Sequence, residues 1–313
     1  MKAYHINNPL KILISLSLLF LFSNCSQSVS VMADNPLNST YAYSNNININ
    51  YEIIGNGEKK IVFLHGFGSS LHTWDDIKYM FPEEEFTLYL IDLKGFGNSS
   101  KPEDDLYTIQ DQAKIVKQFV KDINTDSLYL IGHSFGGAVA LVTQSALLNE
   151  KSKTKISKLI LIGCLAYKQE MPVFAEYLRT PVINELTFLL PNKYRAEYVL
   201  NKIFYNKNLV EENLIDRYSS YYEADGINYT FITSARQMDQ FEYEKIISDY
   251  KSIPTPCLII WGKNDSILPM ESGIKLSREL PNARLEIIDE CGHTPQEEKP
   301  ELTFEKIYLF IKE

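Results

Sequence analysis

Residues 128–142 are Leu128-Tyr-Leu-Ile-Gly-His-Ser134-Phe-Gly-Gly-Ala-Val-Ala-Leu-Val142. The first four residues form a short apolar run, which is typical of a strand covered on both faces in a parallel sheet. The last five residues favour a helix. Between them lies a G-x-S-x-G sequence, in which a sharp turn would present Ser134 and a side chain at Gly132 or Gly136 would clash. The stretch therefore predicts strand, strained turn and helix, with Ser134 as the candidate nucleophile.

Similar apolar runs occur on both sides of this stretch, at residues 61–64, 88–91, 159–162 and 258–261. Residues 46–54 alternate polar and apolar, as a half-exposed strand would. Helical periodicity at residues 109–123 and 138–148 lies between these runs, so strand and helix alternate along the chain. This order predicts an α/β fold with a doubly wound, mostly parallel sheet.

One region interrupts the alternation. From about residue 165 to 240 the sequence has amphipathic helical segments and no apolar strand run. An insertion after the sixth strand would sit above the carboxyl ends of the strands, where active sites of open α/β sheets lie, and would act as a lid. The alternative is an extra packing subdomain whose aromatic side chains face its own core.

A serine nucleophile needs a base, and the base needs an acid that holds it. Asp265 follows the apolar run at 258–261, and His293 follows a further strand-like run at 285–288. The chain order is thus Ser134, Asp265, His293, with each residue just past a strand end. Because the ends of parallel strands meet at one edge of a sheet, we predict that these residues form a catalytic triad.

Three further segments resemble the α/β-hydrolase superfamily over residues 41–313. His65-Gly66-Phe67-Gly68 resembles its oxyanion loop, Asp92-Leu-Lys-Gly-Phe-Gly-Asn-Ser99 its D-x-x-G-x-G-x-S turn, and Cys291-Gly-His293-Thr-Pro-Gln-Glu-Glu-Lys-Pro300 its histidine loop. The resemblance implies an α/β-hydrolase fold and an esterase- or lipase-like serine hydrolase.

The same resemblance assigns roles to individual residues. It implies that the backbone N–H groups of Phe67 and Phe135 form the oxyanion hole. We interpret Asp92 as a carboxylate that braces its loop and His133 as a packing residue rather than the base. Trp74 either lines a substrate pocket for the acyl group or packs beneath the lid.

The predicted activity is hydrolysis of a carboxylic ester with a small to medium apolar acyl group, through an acyl-enzyme on Ser134. Fold and triad do not fix the substrate, so lactonase, amidase, thioesterase and perhydrolase activities stay open. A non-catalytic binding protein on the same fold is a further alternative. The expected partner is a small acyl substrate, and this chemistry requires no cofactor.

The N-terminus predicts export. Lys2 and Lys11 precede an 11-residue apolar run at 12–22, which is short for a membrane span and typical of a secretion signal. Phe22-Ser-Asn-Cys25 resembles the cleavage box of bacterial lipoproteins, with Cys25 as the lipid attachment site, whereas cleavage after Ala33 is the competing reading. We therefore predict a signal peptide at 1–24, a flexible tether at 25–40 and one hydrolase domain at 41–313. The protein is then lipid-anchored to a bacterial membrane, or else secreted or periplasmic.

Charge and composition argue against nucleic acid and metal ions as partners. A formal charge of −9 would repel phosphate backbones, so nucleic acid is not an expected partner. None of the five histidines pairs with another at helical metal-ligand spacing, and no metal site is expected. Cys164, Cys257 and Cys291 lack paired spacing and are predicted to be buried free thiols.

Overall fold

The computed structural model describes residues 39–44, 46–170, 172–239 and 243–313. Cys25, the predicted signal at 1–24 and residues 25–38 of the predicted tether lie outside these residues. The first strand begins at Ser39, so the last two residues assigned to the tether belong to the sheet.

Within the described residues, eight strands form one sheet in the order β1-β2-β4-β3-β5-β6-β7-β8. The antiparallel pairs are β1 with β2 and β2 with β4, and the other neighbours are parallel. The strands are β1 (Ser39–Ser44), β2 (Ile47–Ile54), β3 (Lys59–Leu64), β4 (Phe86–Ile91), β5 (Ser127–His133), β6 (Lys155–Ile162), β7 (Cys257–Gly262) and β8 (Ala283–Ile288). The predicted mostly parallel sheet is confirmed.

Each of the four-residue apolar runs at 61–64, 88–91, 128–131, 159–162 and 258–261 lies in a strand, and its residues are buried apart from the partly buried Tyr129. All six residues of β4 and of β7 are buried, because helices cover both faces of the sheet. The strand β8 is less buried, as expected for an edge, and the alternating β2 lies between β1 and β4.

The described α-helices are α1 (Asp75–Lys78), α2 (Ile109–Asp122), α3 (Phe135–Asn149), α4 (Val173–Arg179), α5 (Ile183–Phe188), α6 (Asn192–Ile203), α7 (Glu212–Ser220), α8 (Ile227–Asp239), α9 (Tyr243–Tyr250), α10 (Met270–Glu279), α11 (Pro295–Glu298) and α12 (Pro300–Lys312). Side chains of α2, α3 and α10 join the hydrophobic cluster on one face of the sheet. Those of α1 and α12 join the cluster on the other face. The chain thus has the layered arrangement of a doubly wound α/β fold.

The segment between β6 and β7 contains helices α4 to α9. These helices continue to Tyr250, about ten residues beyond the predicted end of the insertion near residue 240. None of the helices in the described ranges combines the length and apolar character needed to cross a bilayer. Cys164, Cys257 and Cys291 are buried free thiols, as predicted.

Candidate active site

Ser134 occupies the turn between β5 and α3. Its backbone has φ 53° and ψ −116°, a conformation that a residue with a side chain rarely adopts. A Cβ at Gly132 would come within 3.0 Å of the Gly136 carbonyl, and one at Gly136 within 3.0 Å of the His65 carbonyl. Gly132 therefore allows β5 to pack against the start of α3, and Gly136 allows the turn to pack against the end of β3. Together they hold Ser134 at the carboxyl edge of the sheet.

The structure brings the three predicted triad residues together in one hydrogen-bonded chain. The Ser134 Oγ lies 2.9 Å from Nε2 of His293, and Nδ1 of His293 lies 2.7 Å from Oδ2 of Asp265. Asp265 follows β7 and His293 follows β8, so the parallel strands deliver both to the edge where β5 delivers Ser134. The side chain of Asp265 is fully buried and that of His293 is 6% exposed.

Local hydrogen bonds hold the acid and the base in these positions. Oδ1 of Asp265 accepts hydrogen bonds from the N–H groups of Ile267 (2.8 Å) and Leu268 (2.9 Å). The His293 N–H donates to the carbonyl of Ile203 at 2.7 Å. With Oδ1 occupied, Oδ2 is directed to the imidazole. Asp265 then holds the proton on Nδ1 and leaves Nε2 to accept from Ser134.

Phe135 follows Ser134 in the chain, Phe67 follows Gly66, which lies beside Ser134, and both phenylalanines line the same cavity. Phe135 is the first residue of α3, where N–H groups lack intrahelical partners and the helix dipole favours negative charge. Neither the Phe135 N–H nor the Phe67 N–H donates a hydrogen bond to another residue in the described part of the chain. Both N–H groups are therefore free to receive an oxyanion.

His133 and Asp92 are buried beside the site without joining the triad. His133 donates from Nε2 to the carbonyl of His293 at 2.8 Å, and burial lowers its pKa well below the usual value. Asp92 accepts hydrogen bonds from the N–H groups of Leu71 (2.7 Å) and Asn98 (2.8 Å) and from the side-chain amide of Asn50 (2.8 Å). These contacts fit a packing histidine and a loop-bracing carboxylate.

Trp74 is not one of the described residues that line the cavity, so of the two roles left open for it, the one in a substrate pocket is wrong. The short 3₁₀ turn at Leu71–Trp74 folds the chain back against β3 and β4. Trp74 is consequently fully buried, with its ring centroid 5.2 Å from that of Phe63, in the core cluster that also contains α1 and α12.

A cavity of about 530 Å³ opens from Ser134 into the helical segment between β6 and β7. Its walls consist mostly of aromatic and aliphatic side chains, many of them from α4, α5, α6 and α8. Prominent lining residues are Phe67, Leu165, Leu178, Tyr222, Phe231 and Met238. The helical segment therefore supplies most of the surface that a substrate would contact.

Two adjacent glutamates on α11, which the sequence analysis missed, connect this helical segment to the histidine loop. Glu298 accepts hydrogen bonds of 2.9 Å from the N–H groups of Gly292, Tyr205 and Asn206. The last two residues follow α6, and Gly292 immediately precedes the candidate base. Glu298 thus fixes the loop of His293 against the end of α6.

Glu297 makes the second connection, to α7. Its buried carboxylate accepts hydrogen bonds from Arg217 (2.9 Å) and Tyr218 (2.7 Å) on α7 and from Thr73 (2.9 Å). Burial raises the pKa of Glu297 to about 7, against the opposing effects of Arg217, Tyr218 and Thr73, while Asp76 raises it further. A buried glutamate can be recognised in a sequence when it occupies an apolar position of a helical pattern. A helix of four residues is too short to show such a pattern, so the burial of Glu297 could not be predicted.

This shift predicts a pH-dependent stability that Glu297→Gln removes. Between the ordinary value of 4.5 and about 7, the folded protein retains a proton on Glu297 that the unfolded chain has released. The free energy of unfolding should therefore fall as pH rises through this window, by about 1.4 kcal/mol per pH unit relative to Glu297→Gln. Urea unfolding of both proteins at several pH values measures this slope. Glu301→Gln, at an exposed position, is the control. The prediction would be refuted if the free energy of unfolding changed equally with pH in the wild type and in Glu297→Gln.

Comparisons with known proteins agree with this fold. The sequence pattern of the family described as the alpha/beta hydrolase fold matches residues 59–300, and the chain belongs to this family. A Bacillus subtilis (strain 168) protein named Uncharacterized hydrolase YugF is 30% identical over 267 residues, which cover 85% of this chain and 95% of the relative. The chain is therefore an enzyme of hydrolase type.

Other similar proteins are named for different activities. The 2-hydroxy-6-oxononadienedioate/2-hydroxy-6-oxononatrienedioate hydrolase 1 of Pseudomonas putida is 23% identical, over 84% of this chain and 91% of its own. An esterase structure from Thermogutta terrifontis has a TM-score of 0.68 at 21% identity, covering 85% of this chain and 93% of that one. A bromoperoxidase structure from Bacillus anthracis has a TM-score of 0.75 at 20% identity, covering 88% and 100%. These structures share the fold.

Proposed function

We propose that this protein hydrolyses carboxylic esters through an acyl-enzyme on Ser134. The observation that carries the proposal is the continuous hydrogen-bonded chain from Ser134 through His293 to the buried Asp265. A serine hydroxyl is a weak nucleophile by itself. In these hydrogen bonds, His293 is the base and Asp265 is the acid that orients it.

In the proposed reaction, Nε2 of His293 takes the Ser134 proton while Oγ attacks the ester carbonyl carbon. Asp265 stabilises the resulting imidazolium. The tetrahedral intermediate collapses when His293 returns the proton to the departing alcohol oxygen, which leaves an ester between Ser134 and the acyl group. Water, deprotonated by His293, then attacks this ester and releases the carboxylic acid.

The N–H groups of Phe67 and Phe135 are the proposed oxyanion donors. Both residues line the cavity that contains Ser134, and neither N–H has a partner among the described residues. A fixed donor that points to the developing negative oxygen contributes about 3 kcal/mol of barrier lowering. Since the donors are backbone groups held by the turn and by α3, they require no reorganisation during the reaction.

The proposed substrate class follows from the cavity. Its aromatic and aliphatic walls favour an apolar acyl group of small to medium size, and 530 Å³ is within the usual range for small-molecule sites. Helices α4 to α8 supply much of these walls, which supports the proposed role of this segment as a lid. Lactone, amide, thioester and perhydrolysis reactions use the same triad and are alternatives within the same mechanism.

Fluorophosphonate labelling combined with a series of nitrophenyl esters tests the proposal. We expect stoichiometric labelling at Ser134, with kcat/KM rising by up to about fourfold per added methylene until the cavity is filled. Matched nitroanilides, thioesters and lactones separate the alternative reactions. A folded protein that neither labels nor hydrolyses any of these would instead support a binding protein on the hydrolase fold.

A further inference from the structure

Among its described lining residues, the cavity has one permanently charged side chain. Among the described lining residues, Arg195 on α6 is the only lysine, arginine, aspartate or glutamate. His133 and His293 belong to the catalytic end. Arg195 therefore brings a positive charge to the wall of a cavity whose other walls are mostly apolar.

The guanidinium of Arg195 has no carboxylate partner in the described part of the chain. It donates from Nη2 to the side-chain carbonyl of Asn192 and lies over the rings of Phe188 and Tyr222, at 5.3 and 5.2 Å from their centroids. Its Nε is buried and has no hydrogen-bond partner among the described residues. These contacts position the guanidinium but leave its charge unneutralised.

The other arginines of the described chain behave differently. Arg179, Arg217 and Arg284 are each paired with a glutamate, whereas Arg236 and Arg278 are exposed to water. Arg195 alone is partly buried without a counterion. Burial accordingly lowers its pKa, although a guanidinium remains protonated in proteins. An unpaired charge in an apolar site is costly unless something else compensates it.

We propose that the missing counterion is part of the substrate, so that the cavity accepts esters whose apolar chain ends in a carboxylate. The proposal rests on the proposed ester hydrolysis and specifies its substrate class. A guanidinium matches a carboxylate geometrically, and aromatic neighbours restrict its orientation. One positive charge balances a monoanionic carboxylate better than a phosphate dianion. Arg195 is thus the specificity-determining residue, and Ser134 acts on the other part of the molecule.

The test compares two nitrophenyl esters of equal chain length, one of a monocarboxylic acid and one a monoester of a dicarboxylic acid. We measure kcat/KM of the wild type, Arg195→Met and Arg195→Lys for both. The expected result is that Arg195→Met lowers the acidic-to-neutral ratio by about 30-fold, with the neutral ester little changed. Arg195→Lys should retain part of the preference. Arg236→Met, which removes an exposed charge from α8, should retain all of it.

Several outcomes would overturn the inference. The inference is wrong if the acidic-to-neutral ratio of kcat/KM is the same in the wild type and Arg195→Met. If both proteins also label with fluorophosphonate and hydrolyse the neutral ester, the proposed function still stands. If none of the proteins labels with fluorophosphonate or hydrolyses either ester, the proposed function fails. Calorimetry with the dicarboxylic acid monoester, on wild type and Arg195→Met, then decides whether Arg195 binds a carboxylate. Equal affinity, or no binding to either protein, would overturn it.

Discussion

Ser134→Ala is expected to eliminate fluorophosphonate labelling and to lower kcat for a nitrophenyl ester by about 10⁶-fold. The substitution removes the only atom that the proposed mechanism places between the base and the carbonyl carbon. His293 would remain bound to Asp265 with no hydroxyl to deprotonate. Because a methyl group fits where the hydroxymethyl group was, the cavity should still bind substrate.

Steady-state kinetics with long incubation times can measure a loss of this size, with circular dichroism to verify folding. Ser272→Ala on α10 is the matched control, because Ser272 is not among the described cavity-lining residues. It should retain wild-type labelling and turnover. Persistent stoichiometric labelling of Ser134→Ala would show that another residue is the nucleophile.

Asp265→Asn should reduce kcat by about 10⁴-fold while preserving the fold. The N–H groups of Ile267 and Leu268 already occupy Oδ1, so the amide oxygen of asparagine would take that place and its NH₂ group would face His293. That NH₂ group donates to Nδ1 and moves the imidazole proton to Nε2. In this tautomer, Nε2 cannot accept the proton of Ser134.

Asp289→Asn is the control for this substitution. Asp289 also follows a strand of the sheet, but its side chain is 75% exposed and paired with Lys263. Its kcat should stay within about twofold of wild type, since exposed ion pairs contribute little. A loss of less than tenfold in Asp265→Asn would indicate that another group orients His293.

The sequence was sufficient for the fold and for the position of the three triad residues because both depend on local patterns. Buried parallel strands are continuous apolar runs, and the turn at Ser134 requires glycine at two fixed positions. These patterns can be recognised in the sequence without knowing which distant residues are in contact. The strand β1 was partly missed because Ser39 and its neighbours are polar, and they become ordered by pairing with β2.

Side-chain roles that depend on distant contacts could not be predicted. Trp74 faces the core rather than the cavity because a 3₁₀ turn redirects the chain, and no residue pattern marks that change. In the sequence, Glu297 and Glu298 resemble an exposed acidic pair. Only the tertiary structure shows that α7 and the end of α6 pack on them. Arg195 likewise resembles an ordinary surface residue of an amphipathic helix, and only the tertiary structure places it in the cavity.

The two glutamates of α11 also divide the cover of the cavity into parts that are held unequally. They attach α7 and the end of α6 to the loop of His293, whereas α5 and its flanks present Val182, Leu186 and Leu189 to water, with Leu189 80% exposed. A displacement of α7 would act on the loop of His293 through Glu297, whereas no hydrogen bond in the described part of the chain joins α5 directly to that loop. We therefore expect the proposed lid to open at α4 and α5, so that its opening would leave the predicted triad aligned.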